Sequence, residues 1–302
     1  MGTITSQRRK VEARWALAFL GPWIVGFLAF TLGPMVASLF FSFTRYTGTS
    51  APVWIGLDNY ITLLTGDPKF WNSMGITFTF AFVAVPLSLV LGFLLAYLLN
   101  FKIPGMKVWR TLFYLPSVIS GVVVAILWRG LFDEKFGVVN FVLSWLGMVG
   151  PDWFTNSQFA LVALVLISLW GVGGGMIIYL AGLQGIPTSL YEASELDGAG
   201  RWQQLTRVTL PMMSPVIFYN LIIGIISCFQ YFTEAWILTK GGPDDATLFY
   251  NIYLYKNAFL YGAMGYASAL AWVLFFVVLV FTALVFRSSS MWVYYEGEVR
   301  KS

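Results

Sequence analysis

No histidine occurs in the 302 residues, and Cys228 is the single cysteine. The first absence removes the imidazole base of a hydrolytic triad. Together the two remove the His and Cys clusters that bind zinc. An intrachain disulfide is impossible, so cysteine usage carries no information on redox compartment. Charge is scarce as well: 11% of residues are charged, against about 25% in a soluble domain, which leaves too little polar surface for a water-facing globule. No G-x-x-x-x-G-K-[ST] loop is present, so the chain has no P-loop phosphate cradle. The net charge of +4 flanks apolar runs instead of forming a stripe, which argues against nucleic acid as a partner. No repeat of solenoid period is visible.

What is abundant is apolar. Hydrophobic residues make up 58% of the chain and aromatics 18%. Six apolar runs stand out, at about 15–41, 74–99, 108–131, 159–183, 212–238 and 266–286. At about 1.5 Å per residue each can cross a hydrocarbon core of roughly 30 Å. The expected fold is therefore all-α, a polytopic membrane protein with six transmembrane helices. The first run is too long for a cleaved signal peptide and reads as a retained helix, bent at Pro22 and Pro34. Pro86 is expected to interrupt the second run, and Pro116 and Pro215 to kink the third and fifth. Trp54, Tyr60, Phe70 and Trp71 suggest a short lateral helix at the interface. The division is a tail over 1–14, a membrane domain over 15–287 and a tail over 288–302. Six crossings put both termini on one side, with the loops around 102–110 and 187–211. That side holds twice as many Lys and Arg as the other, so it is expected to be cytoplasmic.

The polar interval 187–211 is the most distinctive stretch. Pro187 ends an apolar run, and Ser189 and Glu192 have the spacing of a capping box, which predicts a short helix from Ser189. Asp197-Gly198-Ala199-Gly200 ends it, with Gly198 suited to a left-handed C-cap. A second short helix through Trp202, Leu205 and Val208 leads to Leu210-Pro211. Such a helix–turn–helix is either a handle that transmits force to the neighbouring spans or a plain interfacial loop.

Polar groups inside the spans invite a second reading. Ser227, Gln230, Tyr231 and Glu234 fall at i, i+3, i+4 and i+7, one face of a helix, with Cys228 alongside. Hydroxyl, amide and aromatic groups suit a sugar; the alternative is hydrogen bonding between helices. In the fourth run, Trp170, Gly171 and Gly174 belong to a glycine-rich stretch that either opens a site or packs helices closely.

Glu192-Ala193-Ser194, Asp197-Gly198-Ala199 and Leu210-Pro211 resemble the EAA loop of permease subunits of bacterial ABC importers, in the form found in carbohydrate importers of the maltose and glycerol-phosphate type. Ser194 stands where the pattern has a second Ala, and Leu205 where an aromatic is common. Gly56-Leu57-Asp58-Asn59-Tyr60, Leu115-Pro116, the segment from Leu238 to Pro243, and Gly265-Tyr266-Ala267-Ser268-Ala269 are similar to recurrent segments of the same family, so the resemblance spans about 15–287. It implies the type I importer permease fold, with no catalytic or metal-ligating residue in this chain. It implies docking of Glu192, Ala193, Asp197, Gly198 and Ala199 onto an ATPase that binds ATP and Mg. It also implies solute contacts on the helices either side of the loop, at Trp170, Gly174, Cys228 and Tyr231. The implied partners are a second permease chain, two ATPase subunits, an extracytoplasmic solute-binding protein and a sugar. Two rival classes compete. An ion-coupled transporter needs intramembrane carboxylates or His, and only Glu234 qualifies. A membrane enzyme needs a catalytic cluster that the spans do not supply.

Overall fold

The computed structural model describes residues 2–101 and 103–294, with side chains from Val11 onward except Ala13. The sequence positions Lys102, Arg300 and Lys301, used above to orient the chain, and the 295–302 part of the C-terminal tail lie outside the described residues. The fold is mostly helical. Four helices are long and apolar enough to cross a membrane singly: the first span Arg14–Ser42, the second Pro68–Leu99, the fifth Arg201–Leu238 and the sixth Met264–Trp292. Two bent pairs complete six: Met106–Val118 with Gly121–Leu131 as the third, and Ser157–Trp170 with Gly173–Gly185 as the fourth.

Prolines act differently from expectation. Pro86 does not interrupt the second span, and Pro215 lies inside the helix Leu210–Phe229. Wide π-turns instead occupy Leu28–Leu32, Thr62–Gly66 and Leu205–Thr209, each two residues ahead of a proline: Pro34, Pro68 and Pro211. A proline ring crowds the carbonyl four residues back, and in all three cases that carbonyl lies in the wide turn. The helix thus continues past Pro34 and Pro211 without a break. The sharp break falls in the third span, where Ile119 and Ser120 are both extended and the two halves meet at 102°.

The chain divides into two units. One comprises the residues up to Gly66 with Leu254–Val273. Here the expected lateral helix shrinks to Asp58–Ile61 and its π-turn; Trp54 lies in a two-residue antiparallel ladder with Thr44, and Phe70 and Trp71 belong to the second span. Asn59 explains why this corner is ordered. Its Nδ2 donates to the carbonyls of Ser42 (2.9 Å) and Thr44 (3.0 Å), and Tyr60 donates to the Ser42 hydroxyl (2.7 Å). Gly265 packs there too: a Cβ on it would lie 2.1 Å from the Thr44 oxygen.

The other unit, Asp67–Tyr253 with the described residues from Leu274, carries both candidate sites. The second span is its axis and packs against Gly173–Gly185, Ser157–Trp170 and Leu210–Phe229. Asp67 caps it, accepting from the backbone of Lys69 (3.0 Å) and Phe70 (3.2 Å), with Pro68 in the first turn. Its lower end joins a core of Phe93, Ala96, Leu99, Met176, Tyr179, Leu183 and Met213. Small residues set the spacing. A Cβ on Gly92 would meet the Tyr179 ring at 3.3 Å, and one on Gly182 would meet Val216 at 2.9 Å.

Candidate functional site

Three helix breaks meet at one cavity of about 360 Å³. The break in the third span contributes Pro116, Ser117 and Ile119; the bend in the fourth, Ser168, Trp170 and Gly171. The fifth span breaks too. Its helix ends at Phe229, turns through Gln230–Phe232 and resumes at Thr233. Asn251 Nδ2 takes up the Phe229 carbonyl at 3.3 Å, one of the acceptors that the break would strand. Ser227, Cys228, Tyr231 and Glu234 line the cavity from this side, and Phe80, Val85 and Ser88 from the second span. A smaller chamber of about 230 Å³ shares Ser88, Ser168, Gly171 and Ser227 and adds Asn220 and Tyr179.

The lining is mostly apolar, set with the hydroxyls of four serines, and Glu234 is its single carboxylate. Ser117 and Ser168 donate to carbonyls of their own helical turns, Tyr114 and Val165, both at 2.7 Å. Their oxygens remain able to accept. Tyr231 is clamped between Phe80, stacked at 4.6 Å, and Phe249 at 5.3 Å. Its hydroxyl is buried with no hydrogen-bond partner among the described residues, as is that of Tyr179. Trp170 meets Trp128 edge-on at 5.9 Å. Glu234 abuts the start of the helix Gly121–Leu131, since a Cβ on Gly121 would lie 2.6 Å from its Oε1. The same helix is tied at its other end, where Arg129 donates to the Ile237 carbonyl at 2.5 Å.

Five of the seven predicted path residues therefore share the cavity: Trp170, Ser227, Cys228, Tyr231 and Glu234. Gln230 and Gly174 do not. The single face predicted for these residues requires an unbroken helix, and the break at 230–232 turns Gln230 out to an exposed position. Gly174 instead faces Ser117, 3.6 Å from where its Cβ would be, and Gly173 beside it packs still closer, a Cβ there lying 2.0 Å from the Phe113 oxygen. Sequence reasoning missed Ser88, Ser117 and Ser168, whose only signal is a hydroxyl within an apolar run. Among the described residues no group of three or more His, Cys, Asp or Glu could hold a metal.

The 187–211 loop is the second candidate. Its helix runs Thr188–Leu196 with Pro187 as N-cap, and no side chain caps it. The expected capping box of Ser189 and Glu192 does not form, because Pro187 starts the helix one residue earlier and leaves Ser189 within the first turn. The C-terminus matches expectation. Gly198 is left-handed (φ +78), its N–H bonds to Glu195 O at 3.0 Å, and Ala199 N–H bonds to Ser194 O at 2.9 Å, a Schellman closure. The second arm is not a separate helix: Arg201 to Thr209 runs straight into the fifth span.

Side chains lace the two arms together. Tyr191 and Thr209 hydroxyls lie 3.0 Å apart, and Gln204 Nε2 donates to Ser194 Oγ (3.2 Å) and Glu195 Oε1 (3.3 Å). Ser194, the departure from the usual Ala, is thus a joint between the arms. Tyr191 and Leu205 also pack onto the core of the second, fourth and fifth spans. Glu192, Ala193, Asp197 and Gly198 are exposed and Ala199 is half-buried. Leu196 (91% exposed) and Trp202 (74%) stand out beside them, two large apolar side chains that motif reasoning passed over.

A family model described as "Binding-protein-dependent transport system inner membrane component" matches residues 88–291. The chain is 48% identical over 285 residues to the probable ABC transporter permease protein YesP of Bacillus subtilis (strain 168), covering 93% of this chain and 92% of that one. It is 31% identical to the trehalose/maltose transport system permease protein MalF of Thermococcus litoralis, covering 94% and 96%. A chain in the crystal structure of a bacterial ABC transporter involved in the import of the acidic polysaccharide alginate matches with a TM-score of 0.79 at 27% identity, covering 95% of this chain and 99% of that one. A second structure of the alginate transporter, in complex with an alginate pentasaccharide-bound periplasmic protein, matches equally well.

Proposed function

This chain belongs to the binding-protein-dependent transport system inner membrane components, as a multi-pass permease subunit of an ABC importer, and from that premise we propose that its cargo is a sugar or oligosaccharide. The observation that carries the cargo reading is the cavity at the three helix breaks. It offers hydroxyls from Ser88, Ser117, Ser168 and Ser227, the unpartnered hydroxyl of Tyr231 and the ring of Trp170. Ring hydroxyls of a saccharide need acceptors and donors, and its C–H face needs an aromatic plane. The names of relatives that carry trehalose, maltose or alginate support the same class.

In this reading two ATPase subunits, which bind ATP and Mg, dock on the exposed face of the 187–211 loop, at Glu192, Ala193, Asp197, Gly198 and Ala199. A second, similar permease chain completes the translocation path, and an extracytoplasmic solute-binding protein delivers the sugar. Both termini and the loop are cytoplasmic. ATP-driven closure of the ATPases biases the helices between inward-open and outward-open states through differential contacts at the loop.

The test is co-purification of this chain with its candidate ATPase, wild type beside a Glu192→Lys, Asp197→Lys double variant. Retention with wild type and loss with the variant, with normal membrane insertion of both, is the expected result. An ATPase that stays bound to the variant refutes the docking assignment. Failure to bind the wild type refutes the pairing itself.

A further inference from the structure

The connection between the third and fourth spans contains a helix turned inside out. In Val138–Trp145 and the residue after it, Val138, Phe141, Val142, Trp145 and Leu146 fall at i, i+3, i+4, i+7 and i+8, a single apolar stripe. A globular fold turns such a stripe inward. Here it faces out: Trp145 is 74% exposed, Leu146 70%, Phe141 57% and Val138 56%. Phe136 and Val149, at the two ends of the segment, are 90% and 96% exposed.

The inward side is polar and firmly tied. Asn140 is buried; its Nδ2 donates to the carbonyls of Glu134 and Pro151, both at 3.1 Å, and its Oδ1 accepts from Trp153 Nε1 at 2.7 Å. Gly150 closes over it, for a Cβ there would lie 2.2 Å from the Asn140 side chain. Asp133 fixes the entry, accepting from the backbone N–H groups of Phe136 (2.9 Å) and Lys135 (3.0 Å). The outward stripe is therefore a built feature of an ordered lobe.

Two observations name what covers it. The flanking helices show the same outward character: Val122, Val123 and Ile126 before the lobe, Val162 and Leu166 after it, are all exposed apolar side chains on membrane spans. The stripe adds to the apolar surface exposed on the spans either side of it. The charges beside it are three acids, Asp133, Glu134 and Asp152, and one base, Lys135, so no basic cluster is present to draw it to anionic headgroups. Trp145 is a ring type enriched at the headgroup level, Phe136 and Phe141 suit the buried face of an interfacial helix, and eight residues are far too few to cross. We propose that residues 136–149 form a lateral membrane anchor, the stripe lying at the headgroup–acyl boundary of the leaflet opposite the 187–211 loop. The anchor holds in place the connection between the two bent spans that supply Ser117 and Ser168 to the cavity.

The test uses the complete importer in phosphatidylcholine vesicles. Trp145→Cys, in a Cys228→Ser background, is labelled with an environment-sensitive NBD fluorophore, and Phe141→Cys serves as an independent second position. Expected are blue-shifted emission and quenching by phosphatidylcholine spin-labelled near the headgroup or at acyl carbon 5 at least about twofold stronger than at carbon 12, as fits a depth of about 5–10 Å. Emission of a water-exposed fluorophore overturns the proposal. So does buried emission that no spin-labelled lipid quenches, which assigns the stripe to a protein partner. A stripe that leaves the lipid when the solute-binding protein is added also overturns it.

Discussion

Gly173 and Gly174 are chemically identical neighbours, and the structure assigns them opposite tolerance. A Cβ on Gly173 would stand 2.0 Å from the Phe113 oxygen and 3.0 Å from Tyr114 Cα, both backbone atoms that cannot rotate away. A comfortable carbon contact is about 3.5 Å, so Gly173→Ala has to part the first half of the third span from the second half of the fourth by about 1.5 Å. Overpacking of this kind costs about 1–3 kcal/mol. The nearest atom to a Cβ on Gly174 is Ser117 Cβ at 3.6 Å, an ordinary contact, and alanine there gains up to about 1 kcal/mol in helix propensity. Thermal unfolding of the purified importer, followed by size-exclusion fluorescence, separates the two. At about 2–4 °C per kcal/mol, Gly173→Ala is expected to lower Tm by about 2–12 °C and Gly174→Ala to leave it unchanged or slightly raised. Uptake should fall with the first and persist with the second. Equal damage from both, or no loss from Gly173→Ala, refutes the close approach of these two bent spans.

Other perturbations read different contacts. Tyr231→Phe removes a buried hydroxyl without an internal partner, so Tm should stay level or rise by the equivalent of about 1 kcal/mol, while sugar uptake falls; a falling Tm with unchanged uptake contradicts the assignment. Ser194→Ala deletes one of the two acceptors of Gln204 and should loosen the 187–211 loop by about 1 kcal/mol or less, seen as faster amide exchange over 188–204, with the sugar KM unmoved. Asn140→Ala strands two carbonyls and the Trp153 indole, so Tm should drop by the equivalent of about 2 kcal/mol or more, whereas Asn140→Asp should recover part of the loss through the Trp153 contact. The Lys69–Asp245 ion pair, 3.0 Å long with Lys69 half exposed, should contribute less than about 1 kcal/mol, so Asp245→Asn should change Tm little at high salt.

Composition and apolar run length were enough to read the membrane class and six spans, because those depend on transfer of whole segments into hydrocarbon. Local turn chemistry was legible where one residue type answers one geometric demand, as Gly198 does at a left-handed C-cap. It misled where several elements compete. Ser189 and Glu192 have a capping-box spacing, yet Pro187 had already begun the helix. The face of Ser227, Gln230, Tyr231 and Glu234 presupposed an intact helix, and nothing between Ser227 and Thr233 is a turn former by type. That break depends on Asn251, a residue far along the chain, to accommodate the Phe229 carbonyl. Serines at 88, 117 and 168 reveal their shared cavity only once three breaks are superimposed in space. The outward stripe of Val138–Trp145 has the same periodicity as an inward one; periodicity finds the face and tertiary structure decides its direction.

The two candidate sites share packing contacts. Tyr191 and Leu205, one from each arm of the 187–211 loop, pack onto the core that contains Tyr179. Tyr179 also lines the chamber that shares Ser88, Ser168, Gly171 and Ser227 with the main cavity. Its ring leaves no slack: Phe93 meets it edge-on at 5.9 Å, and Gly92 admits it only because no Cβ is there. Close-packed interiors of this kind respond to a push by switching between arrangements, not by gradual deformation. Two contacts connect the loop to the cavity: Tyr179, and the second arm, helical without interruption from Arg201 to Phe229, which carries Ser227 and Cys228. Both routes end on the serine-rich wall. Tyr179→Leu leaves a void about the size of the ring's outer half, so it should uncouple ATP hydrolysis from uptake while co-purification of the ATPase persists. Normal uptake per ATP in that variant would show that the loop moves the cavity by the second arm alone.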